Sequence, residues 1–374
     1  MRSMKDGENL WAEFAGRVGG LASSLETEEH IAGKTLLITG AGGSIGSALA
    51  RFAASHQPES LILLDSSEHG LHALEQCLDE LFPVHHVTVL GSICDSALLA
   101  DIFSQHRPQI VLHAAARKHV PLMERNPLAA ASVNILGTQN LLQAAAAHGV
   151  VDFVMVSTDK AVLPLSIMGA TKRLAELLLY THGQGVMNRK AVRLGNVLGS
   201  SGSVGPIFLR QITDGGPVTV THPQARRFFL TLADAVALLF ASLSPQHASG
   251  ILAPDLGHPR RVEDLARYLI AATAGEKDIE IVFTGLRAGD KMEELLLSPA
   301  ENAIASRQGP FSSVTPEACT VRNVPSATDE VCHSVRRRDP QLLVEAIGRV
   351  LPEYRPSQVL QQIIESSPRA ALQK

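Results

Sequence analysis

Aromatic residues are scarce in this chain. They make up 4% of the 374 residues, so a core must be built mainly from Leu, Val, Ile and Ala. Cysteines are also few, and no Cys-x-x-Cys pair occurs among Cys77, Cys94, Cys319 and Cys332. A disulfide framework or a zinc site needs grouped cysteines, so this scatter favours reduced thiols and no bound metal.

Long apolar runs and blocks of like charge are absent as well. No run reaches the roughly 18 to 20 residues of a membrane-spanning helix, and residues 1–9 lack the apolar core of a signal peptide. The net charge is −4 with no long basic run, unlike a nucleic-acid groove or a polybasic membrane patch. We therefore expect a cytoplasmic protein with no nucleic-acid partner and no membrane span.

Short apolar segments alternate with helical patterns along the first half of the chain. Strands are predicted at residues 35–39, 61–65, 86–90, 109–113, 151–156 and 190–194. Such alternation is typical of a parallel sheet with helices on both faces. The expected fold class is α/β, a doubly wound parallel Rossmann sheet with a smaller C-terminal substrate-binding lobe.

A glycine-rich turn follows the first predicted strand. Gly40, Gly43 and Gly46 lie where the chain turns from strand to helix, so backbone N–H groups can approach a pyrophosphate closely. Asp65 ends the next strand 25 residues after Gly40, where a carboxylate accepts hydrogen bonds from an adenosine ribose and repels a 2′-phosphate. The pattern predicts an NAD site. A phosphate-free turn with Asp65 as a helix cap is the alternative.

Polar residues gather again after the strand at 151–156, in the sequence Ser157-Thr-Asp-Lys160. The carboxyl ends of strands are where open α/β sheets bind ligands. Met168 and Lys172 lie four apart on the following helix and share a face, which we expect to border a cleft or solvent. The opposite face carries an apolar stripe formed by Ala170, Leu174, Leu177 and Leu178.

Other stretches extend this pattern. Small residues at 114–116 let the backbone approach a flat ligand, and Asn134 lies on a predicted long helix through residue 147, where a surface amide is the alternative role. The loop at 195–206 is rich in Gly and Ser, and is either flexible or shaped around a ligand. The second half of the chain carries several arginines, whose guanidinium groups either bind a diphosphate or are only solvated. They are Arg210, Arg226, Arg227, Arg260, Arg261 and Arg287.

These segments resemble the extended short-chain dehydrogenase/reductases and, within them, the UDP-N-acetylglucosamine 4,6-dehydratases of the CapD-like polysaccharide-biosynthesis group. The similarity spans roughly residues 30–300. The matching blocks are residues 39–46, 113–124, 157–162, 168–173, 193–200 and 216–223. The resemblance implies NAD as the cofactor, a UDP-sugar as the substrate, and a homodimer or higher homo-oligomer.

The expected organisation has three parts. Residues 1–32 form an N-terminal leader, which packs on the main domain through an amphipathic segment around Leu10, Trp11, Phe14 and Val18. Residues 33–190 form the NAD-binding Rossmann domain. Residues 191–374 form mainly the nucleotide-sugar-binding lobe, with some segments returning to the Rossmann sheet. Residues 299–339 are polar and are expected to be irregular.

The residues and the resemblance together give three groups of candidate site residues. The catalytic group is Thr158, Asp159, Lys160, Met168 and Lys172. The cofactor-binding group is Gly40, Gly43, Ser44, Ile45, Gly46, Asp65, Ser92, Ile93, Ala114, Ala115, Ala116 and Lys172. The substrate-binding group is Lys118, His119, Asn196, Ser203, Val204, Arg227 and Arg287.

In the reaction that the resemblance implies, carbon 4 of the sugar is oxidised by NAD, and the hydride later returns to carbon 6. Lys160, deprotonated by burial near other cations, removes the carbon 5 proton, and Asp159 protonates the departing carbon 6 hydroxyl. Thr158 hydrogen-bonds the carbon 4 oxygen, and Lys172 the nicotinamide ribose. An ordinary solvated Asp159–Lys160 pair is the alternative reading.

The chain departs from the wider superfamily where most members carry a tyrosine base four residues before the helix lysine. That position is Met168, as in one branch of the dehydratases. Thioether sulfur is not a base at neutral pH, so a water held by Thr158 and Asp159 is the candidate for removing the first proton. Further departures near the nucleotide or sugar are Ser92, Leu163, Arg226 and residues 287–291.

Two other functions stay open from the sequence alone. A nucleotide-sugar epimerase or reductase would use the same scaffold, although an epimerase normally needs the missing tyrosine. A catalytically silent NAD-binding regulator would explain that loss, but not the intact Thr158-Asp159-Lys160.

Overall fold

The computed structural model of the protein describes residues 4–16, 29–183, 187–305 and 310–366. The strands in these ranges are β1 Thr35–Thr39, β2 Ser60–Asp65, β3 His86–Leu90, β4 Ile110–His113, β5 Asp152–Thr158, β6 Asn188–Leu194, β7 Asn196–Val197, β8 Val218–Val220, β9 Arg226–Arg227, β10 Phe229–Leu230, β11 Gly250–Pro254, β12 Arg260–Arg261, β13 Ile281–Phe283, β14 Asn302–Ala305 and β15 Phe311–Thr315. A nine-stranded sheet has the order β14-β15-β11-β6-β5-β4-β1-β2-β3.

Seven neighbouring strands of this sheet are parallel, so their carboxyl ends meet at one edge. They are β11, β6, β5, β4, β1, β2 and β3. The register places Thr39 beside His113, and Thr158 beside Leu194. The polar residues after β1, β4, β5 and β6 therefore lie along the same edge of the sheet.

α-Helices cover both faces of the sheet. The helices of the first half of the chain, including those that pack elsewhere, are Met4–Ala15, Ser44–Ala54, Glu68–Leu81, Ser96–His106, Val120–Arg125, Pro127–Ala131, Thr138–Ala147 and Ile167–Thr181. In the second half they are Val204–Thr213, Leu232–Ala241, Val262–Thr273, Ala318–Arg322, Val324–Arg337, Pro340–Val350 and Gln358–Glu365. None of the helices in the described ranges has the length and apolar content that a membrane span requires.

The buried strands of the central sheet, such as β1, contribute to two cores because successive side chains point to opposite faces. Leu36 and Ile38 pack under the helices Ser44–Ala54 and Leu232–Ala241. Leu37 packs on the other face with the helices Ser96–His106 and Thr138–Ala147. The predicted fold class, a doubly wound parallel α/β sheet, is confirmed.

A smaller lobe lies beyond the sheet. It contains the pairs β8–β13 and β9–β12 together with the helices Val204–Thr213 and Val262–Thr273. Its apolar core includes Phe208, Val220 and Leu265, and also Trp11 and Phe14 from the N-terminal helix. Val18, the fourth residue of the predicted amphipathic segment, lies outside the described residues.

The prediction that residues 299–339 are irregular is wrong. This segment returns to the sheet as β14 and β15, with β15 antiparallel to β11, and then forms the helices Ala318–Arg322 and Val324–Arg337. Polar side chains are tolerated there because β14 is an edge strand and the helix buries only one face.

The prediction for the helix Ile167–Thr181 also needs correction. Met168 and Lys172 do not face solvent, since Met168 is 3% and Lys172 5% exposed. The C-terminal helices Val324–Arg337 and Pro340–Val350 cover this helix, so Met168 joins the same apolar cluster as Leu174. The apolar stripe in the sequence predicted one buried face of this helix, but it did not predict the burial of Met168 and Lys172.

The single long helix predicted through residue 147 is broken into several pieces. Helices at Val120–Arg125 and Pro127–Ala131 lead into a π-helical turn at Ser132–Gly137 and the helix Thr138–Ala147. Asn134 is 1% exposed, and its amide donates to Arg117 O (3.0 Å) and accepts from Arg117 N (2.8 Å). The surface role considered for Asn134 is therefore wrong.

Candidate active site

The glycine turn after β1 is packed too closely for side chains. Gly40 has a φ of +70°, and a Cβ placed on it would lie 2.6 Å from Ala115 N. A Cβ on Gly46 would lie 2.0 Å from Gly40 O. The helix Ser44–Ala54 starts after Gly43 with no capping side chain, which leaves its first N–H groups available to an anion.

Asp65 is held at this turn by two backbone groups. Its Oδ2 accepts a hydrogen bond from Gly42 N, and its Oδ1 accepts one from Ser67 N, each at 2.8 Å. The next helix, Glu68–Leu81, is capped by Ser67, whose hydroxyl accepts from Gly70 N. Asp65 is thus not the cap of that helix, and the alternative considered for it fails.

The other predicted cofactor residues border the same edge. Ser92 accepts a hydrogen bond from Cys94 N (3.2 Å), and Ile93 is buried beneath Gly137. Residues 114–116 follow β4 directly and pass close to Gly40. Their role toward a cofactor stays a prediction.

The end of β5 carries a compact set of polar side chains that we call the Lys160 group: Thr158, Asp159, Lys160, Asn196 and Glu294. Lys160 Nζ donates to Asp159 Oδ1 (2.9 Å) and Asn196 Oδ1 (3.0 Å), and lies 3.7 Å from Glu294 Oε1. Thr158 Oγ1 donates to Asp159 Oδ1 (3.0 Å). Asp159 is fully buried, and its Oδ2 has no hydrogen-bond partner among the described residues. A solvated ion pair, the alternative considered, does not describe this arrangement.

The charges of the Lys160 group correct the expected state of the lysine. Burial lowers the pKa of Lys160, but the carboxylates of Asp159 and Glu294 outweigh it and the net pKa is raised. Burial raises the pKa of Asp159 despite the neighbouring ammonium. Lys160 is therefore cationic, and is not deprotonated by burial alone.

Lys172 lies deeper, under the end of β5. Its Nζ donates to Val156 O (2.7 Å), and burial lowers its pKa to about 8 against the opposing charge of Glu176. Burial and the charge of Lys172 lower the pKa of His113 to about 3, so this imidazole is neutral. His113 is fixed between the hydroxyls of Thr39 (2.8 Å) and Thr138 (3.0 Å).

A second buried set, the Arg193 group, consists of Arg173, Glu176, Arg193 and Glu301. Both oxygens of Glu176 are used: Oε1 accepts from Ser157 Oγ (2.6 Å) and Arg193 Nε (3.0 Å), and Oε2 from both arginines. Glu301 pairs with both arginines at 2.7–2.8 Å. Although burial alone raises the pKa of Glu176, Arg193 and Arg173 lower it to about 2.

The loop at 195–206 contacts the glycine turn through Ser201 and the Lys160 group through Asn196. Ser201 N donates to Ser44 Oγ (2.9 Å), and Lys118 Nζ donates to Ser201 O (2.8 Å). A Cβ on Gly202 would lie 2.5 Å from the His119 ring. Three predicted residues, Ser44, Lys118 and His119, therefore contact the same loop. Ser203 Oγ is buried there without a hydrogen-bond partner among the described residues, immediately before the helix that begins at Val204.

The predicted arginines separate into two sets. Arg227 is buried beside the Lys160 group, 4.0 Å from Glu294, with its guanidinium on Lys291 O and Met292 O. Arg287 is exposed and pairs with Asp290 (2.9 Å). Arg260 and Arg261 contact the N-terminal helix and Asp264.

Glu294 is the acidic residue that the sequence prediction missed. It is 2% exposed and pairs with Lys291 (3.1 Å), whose Nζ also donates to Val162 O (2.6 Å). The segment Lys291-Met-Glu-Glu294 follows the arginine loop, so an acid after that loop was the available signal. The Arg193 group was also missed, because its members are far apart in the sequence.

A doubly wound sheet, a glycine turn after β1 and a Thr-Asp-Lys segment after β5 together define a protein of the extended short-chain dehydrogenase/reductase type. The chain belongs to the polysaccharide biosynthesis protein family, which it matches over residues 36–315. This confirms the predicted resemblance. The matched range contains both buried charge groups, whereas the helix Met4–Ala15 and the helices from residue 318 onward lie outside it.

The curated relatives include two polysaccharide biosynthesis proteins. The probable polysaccharide biosynthesis protein EpsC of Bacillus subtilis is 43% identical over 77% of this chain and 49% of its own length. The capsular polysaccharide biosynthesis protein CapD of Staphylococcus aureus is 42% identical over 73% of this chain and 46% of its own length. The chain thus spans about half the length of these relatives.

Other relatives are named as enzymes, a dehydratase and an epimerase among them. The UDP-N-acetylglucosamine 4,6-dehydratase (inverting) of Campylobacter jejuni is 29% identical over 76% of this chain and 83% of its own length. The UDP-glucose 4-epimerase of Rickettsia bellii is 34% identical over 74% of this chain and 82% of its own length.

Solved structures show the same fold. Pen from Bacillus thuringiensis has a TM-score of 0.70 at 30% identity, covering 77% of this chain and 90% of its own. The UDP-glucose 4-epimerase of Thermus thermophilus, solved in complex with NAD, has a TM-score of 0.60 at 24% identity, covering 71% and 90%.

Proposed function

We propose that the protein is an NAD-dependent nucleotide-sugar 4,6-dehydratase acting on UDP-N-acetylglucosamine or a close UDP-sugar. The observation that carries this proposal is the buried contact between Asp159 and Lys160, an acid and a base 2.9 Å apart at the carboxyl end of β5. Relatives named as a UDP-N-acetylglucosamine dehydratase and a UDP-glucose epimerase support a nucleotide sugar as substrate. The 4-keto-6-deoxy product would serve surface polysaccharide or glycan synthesis, in keeping with the family's description.

NAD fits the residues at the glycine turn. The uncapped helix Ser44–Ala54 would hold the pyrophosphate, and Asp65, fixed by Gly42 N and Ser67 N, keeps lone pairs for the ribose hydroxyls. Lys172 would hold the nicotinamide ribose. When bound, NAD supplies a hydride acceptor for carbon 4 and a hydride donor for carbon 6. The remaining work is proton transfer by the chain's own residues.

Water loss requires one proton to be given and one to be taken. Asp159 gives a proton to the carbon 6 hydroxyl as it leaves, and Lys160 takes the proton of carbon 5. Before this step the pair must be neutral, which needs a proton shift from Lys160 Nζ to Asp159 across their hydrogen bond. Protonating Asp159 removes the main cause that raises the pKa of Lys160. Burial, the largest cause, and Arg227 then lower it against the remaining charge of Glu294, so that Lys160 can act as a base.

The protons balance over the full cycle. After water loss Lys160 is cationic and Asp159 is ionised, which is the ion pair that the geometry displays. Lys160 returns its proton to carbon 5 when the hydride reaches carbon 6. The carbon 4 hydroxyl releases one proton to solvent, and at the end of the cycle Lys160 regains one proton from solvent, so the total is unchanged.

Thr158 lies on the route for the carbon 4 proton. Its hydroxyl donates to Asp159 Oδ1, whereas the thioether of Met168 is packed in an apolar cluster and cannot accept a proton at neutral pH. The carbon 4 hydroxyl would therefore pass its proton through the Thr158 hydroxyl and water to solvent. This replaces the tyrosine of most relatives in the superfamily.

A UDP-sugar 4-epimerase is the second candidate, because the Rickettsia bellii relative is 34% identical. An epimerase returns the hydride to carbon 4 and has no task for a proton donor at carbon 6. The buried Asp159–Lys160 pair therefore favours the dehydratase.

One incubation separates the two reactions. The purified protein is mixed with UDP-N-acetylglucosamine, or with UDP-glucose, in D₂O, and the products are measured by mass spectrometry and NMR. A dehydratase yields a product that lacks one water and carries solvent deuterium at carbon 5. An unchanged sugar mass with inverted carbon 4 would show an epimerase, and no product from either sugar would favour a silent NAD-binding protein.

A further inference from the structure

The N-terminal helix Met4–Ala15 contacts the loop at 195–206 through Trp11. A Cβ on Gly199 would lie 2.7 Å from Trp11 Nε1, and a Cβ on Gly205 would lie 2.8 Å from Trp11 Cη2. Both glycines therefore leave room for the indole ring, which is 8% exposed. The ring contacts the loop at Gly199 and the first turn of the helix Val204–Thr213 at Gly205.

The opposite side of this loop belongs to the site. Ser201 N contacts Ser44 in the glycine turn, and Ser201 O contacts Lys118. Ser203 Oγ, buried without a partner among the described residues, lies between Gly199 and Gly205 in the sequence. The loop is thus enclosed between Trp11 on one side and the glycine turn on the other.

The helix that carries Trp11 is itself anchored. Phe14 packs against Phe229 and Tyr268, with ring centroids 5.5 and 5.4 Å away, and the Arg260 guanidinium lies 3.9 Å above its ring. Glu13 accepts a hydrogen bond from the Tyr268 hydroxyl (2.8 Å). The contacts of Phe14 with Arg260 and Tyr268, and of Glu13 with Tyr268, hold the helix that carries Trp11 through residues outside the loop.

We propose that Trp11 is a positioning residue, which holds the loop at 195–206 in the shape that binds the nucleotide diphosphate of the sugar substrate. This inference rests on the proposed use of a UDP-sugar. The helix lies outside the range that matches the family, so this support is an addition to the shared fold. A core residue without this role would affect stability but not substrate affinity.

The chain contains a single tryptophan, so its emission reports on Trp11 alone. UDP is titrated into the full-length protein while tryptophan emission is followed, and calorimetry measures UDP binding in parallel. We expect a saturable change in emission with the same midpoint as the calorimetric binding. UDP binding with no change in emission, or no UDP binding at all, would overturn the proposal.

Substitutions test the same point by kinetics. Trp11→Ala should raise the KM for UDP-N-acetylglucosamine roughly tenfold with a smaller change in kcat, because the loop is misplaced while the acid and base are not. Trp11→Phe should restore much of the loss, and Asn9→Ala, an exposed change on the same helix, should match wild type. An unchanged KM in Trp11→Ala with lowered thermal stability would show a packing role only.

The test also separates this inference from the proposed reaction. If the wild-type protein turns over no sugar but UDP still changes the emission of Trp11, the loop proposal stands and the dehydratase proposal fails. If Trp11→Ala does not fold, UDP affinity in Trp11→Phe and the wild-type titration decide the question.

Discussion

Two buried charge groups lie side by side at the carboxyl edge of the sheet, and they differ in how completely they are paired. Ser157 belongs to the surroundings of the Arg193 group, and the next residue begins the Lys160 group. In the Arg193 group two arginines face two glutamates, and every carboxylate oxygen accepts hydrogen bonds. In the Lys160 group Asp159 Oδ2 has no partner among the described residues.

The pKa values follow this difference. The arginines hold the pKa of Glu176 at about 2, so its charge is fixed, whereas burial raises the pKa of Asp159 and makes its carboxylate easier to protonate. A buried network in which every polar atom is hydrogen-bonded stabilises the fold. A buried ionisable group with an unpaired atom is instead a candidate for catalysis. We infer that the Arg193 group positions the segments on which the Lys160 group works.

The largest effect should come from the Lys160 group. Lys160→Ala or Asp159→Asn removes the base or the acid and should lower kcat by roughly 10²- to 10⁴-fold. Bound NAD should be retained, since neither side chain contacts the glycine turn. Dehydration is followed by mass spectrometry on NAD-loaded protein, and near-normal turnover in either variant would remove that residue from the mechanism.

The Arg193 group should show the reverse behaviour. Glu176→Gln weakens the pairing of two buried arginines and should lower the free energy of unfolding by about 3–5 kcal/mol. The kcat per folded, NAD-loaded molecule should change far less than in Lys160→Ala. Urea unfolding and active-site titration measure both quantities, and a large kcat loss without loss of stability would break the comparison.

The stabilisation by the Arg193 group should be lost only at low pH. The pKa of Glu176 is about 2 in the folded chain against 4.5 normally, so its stabilisation is present above pH 4.5 and is lost as pH falls toward 2. A shift of this size corresponds to about 3 kcal/mol. Unfolding free energies measured at falling pH should drop faster in wild type than in Glu176→Gln, and Glu59→Gln, an exposed carboxylate, is the control. Parallel curves for wild type and Glu176→Gln would contradict this assignment.

The smallest effects separate Thr158 from Met168. Thr158→Val deletes the hydroxyl bonded to Asp159 and should lower kcat by roughly tenfold, the size of one lost hydrogen bond. Met168→Ala should lose stability through packing against the C-terminal helices but keep its kcat. Both are compared on the same nucleotide sugar after NAD content is checked. A dead Met168→Ala beside a normal Thr158→Val would end the Thr158 proton route.

Local patterns in the sequence predicted the central part of the molecule. β1 and β3 have the predicted bounds, because short runs of β-branched and leucine residues between turns leave few alternatives. The glycine turn with Asp65, and the contact between Asp159 and Lys160, could be predicted because their partners lie close in the chain or at the ends of neighbouring parallel strands.

Tertiary structure alone decided the rest. Met168 was expected to border a cleft or solvent, yet it is buried in an apolar cluster to which helices more than 150 residues later in the chain contribute. Glu294 reaches Lys160 across 134 residues, and Glu301 reaches Arg193 across 108. Whether Lys160 carries a proton depends on those distant carboxylates, since burial and their charges act in opposite directions. A sequence shows which groups can ionise, and only the folded chain sets which charges surround them.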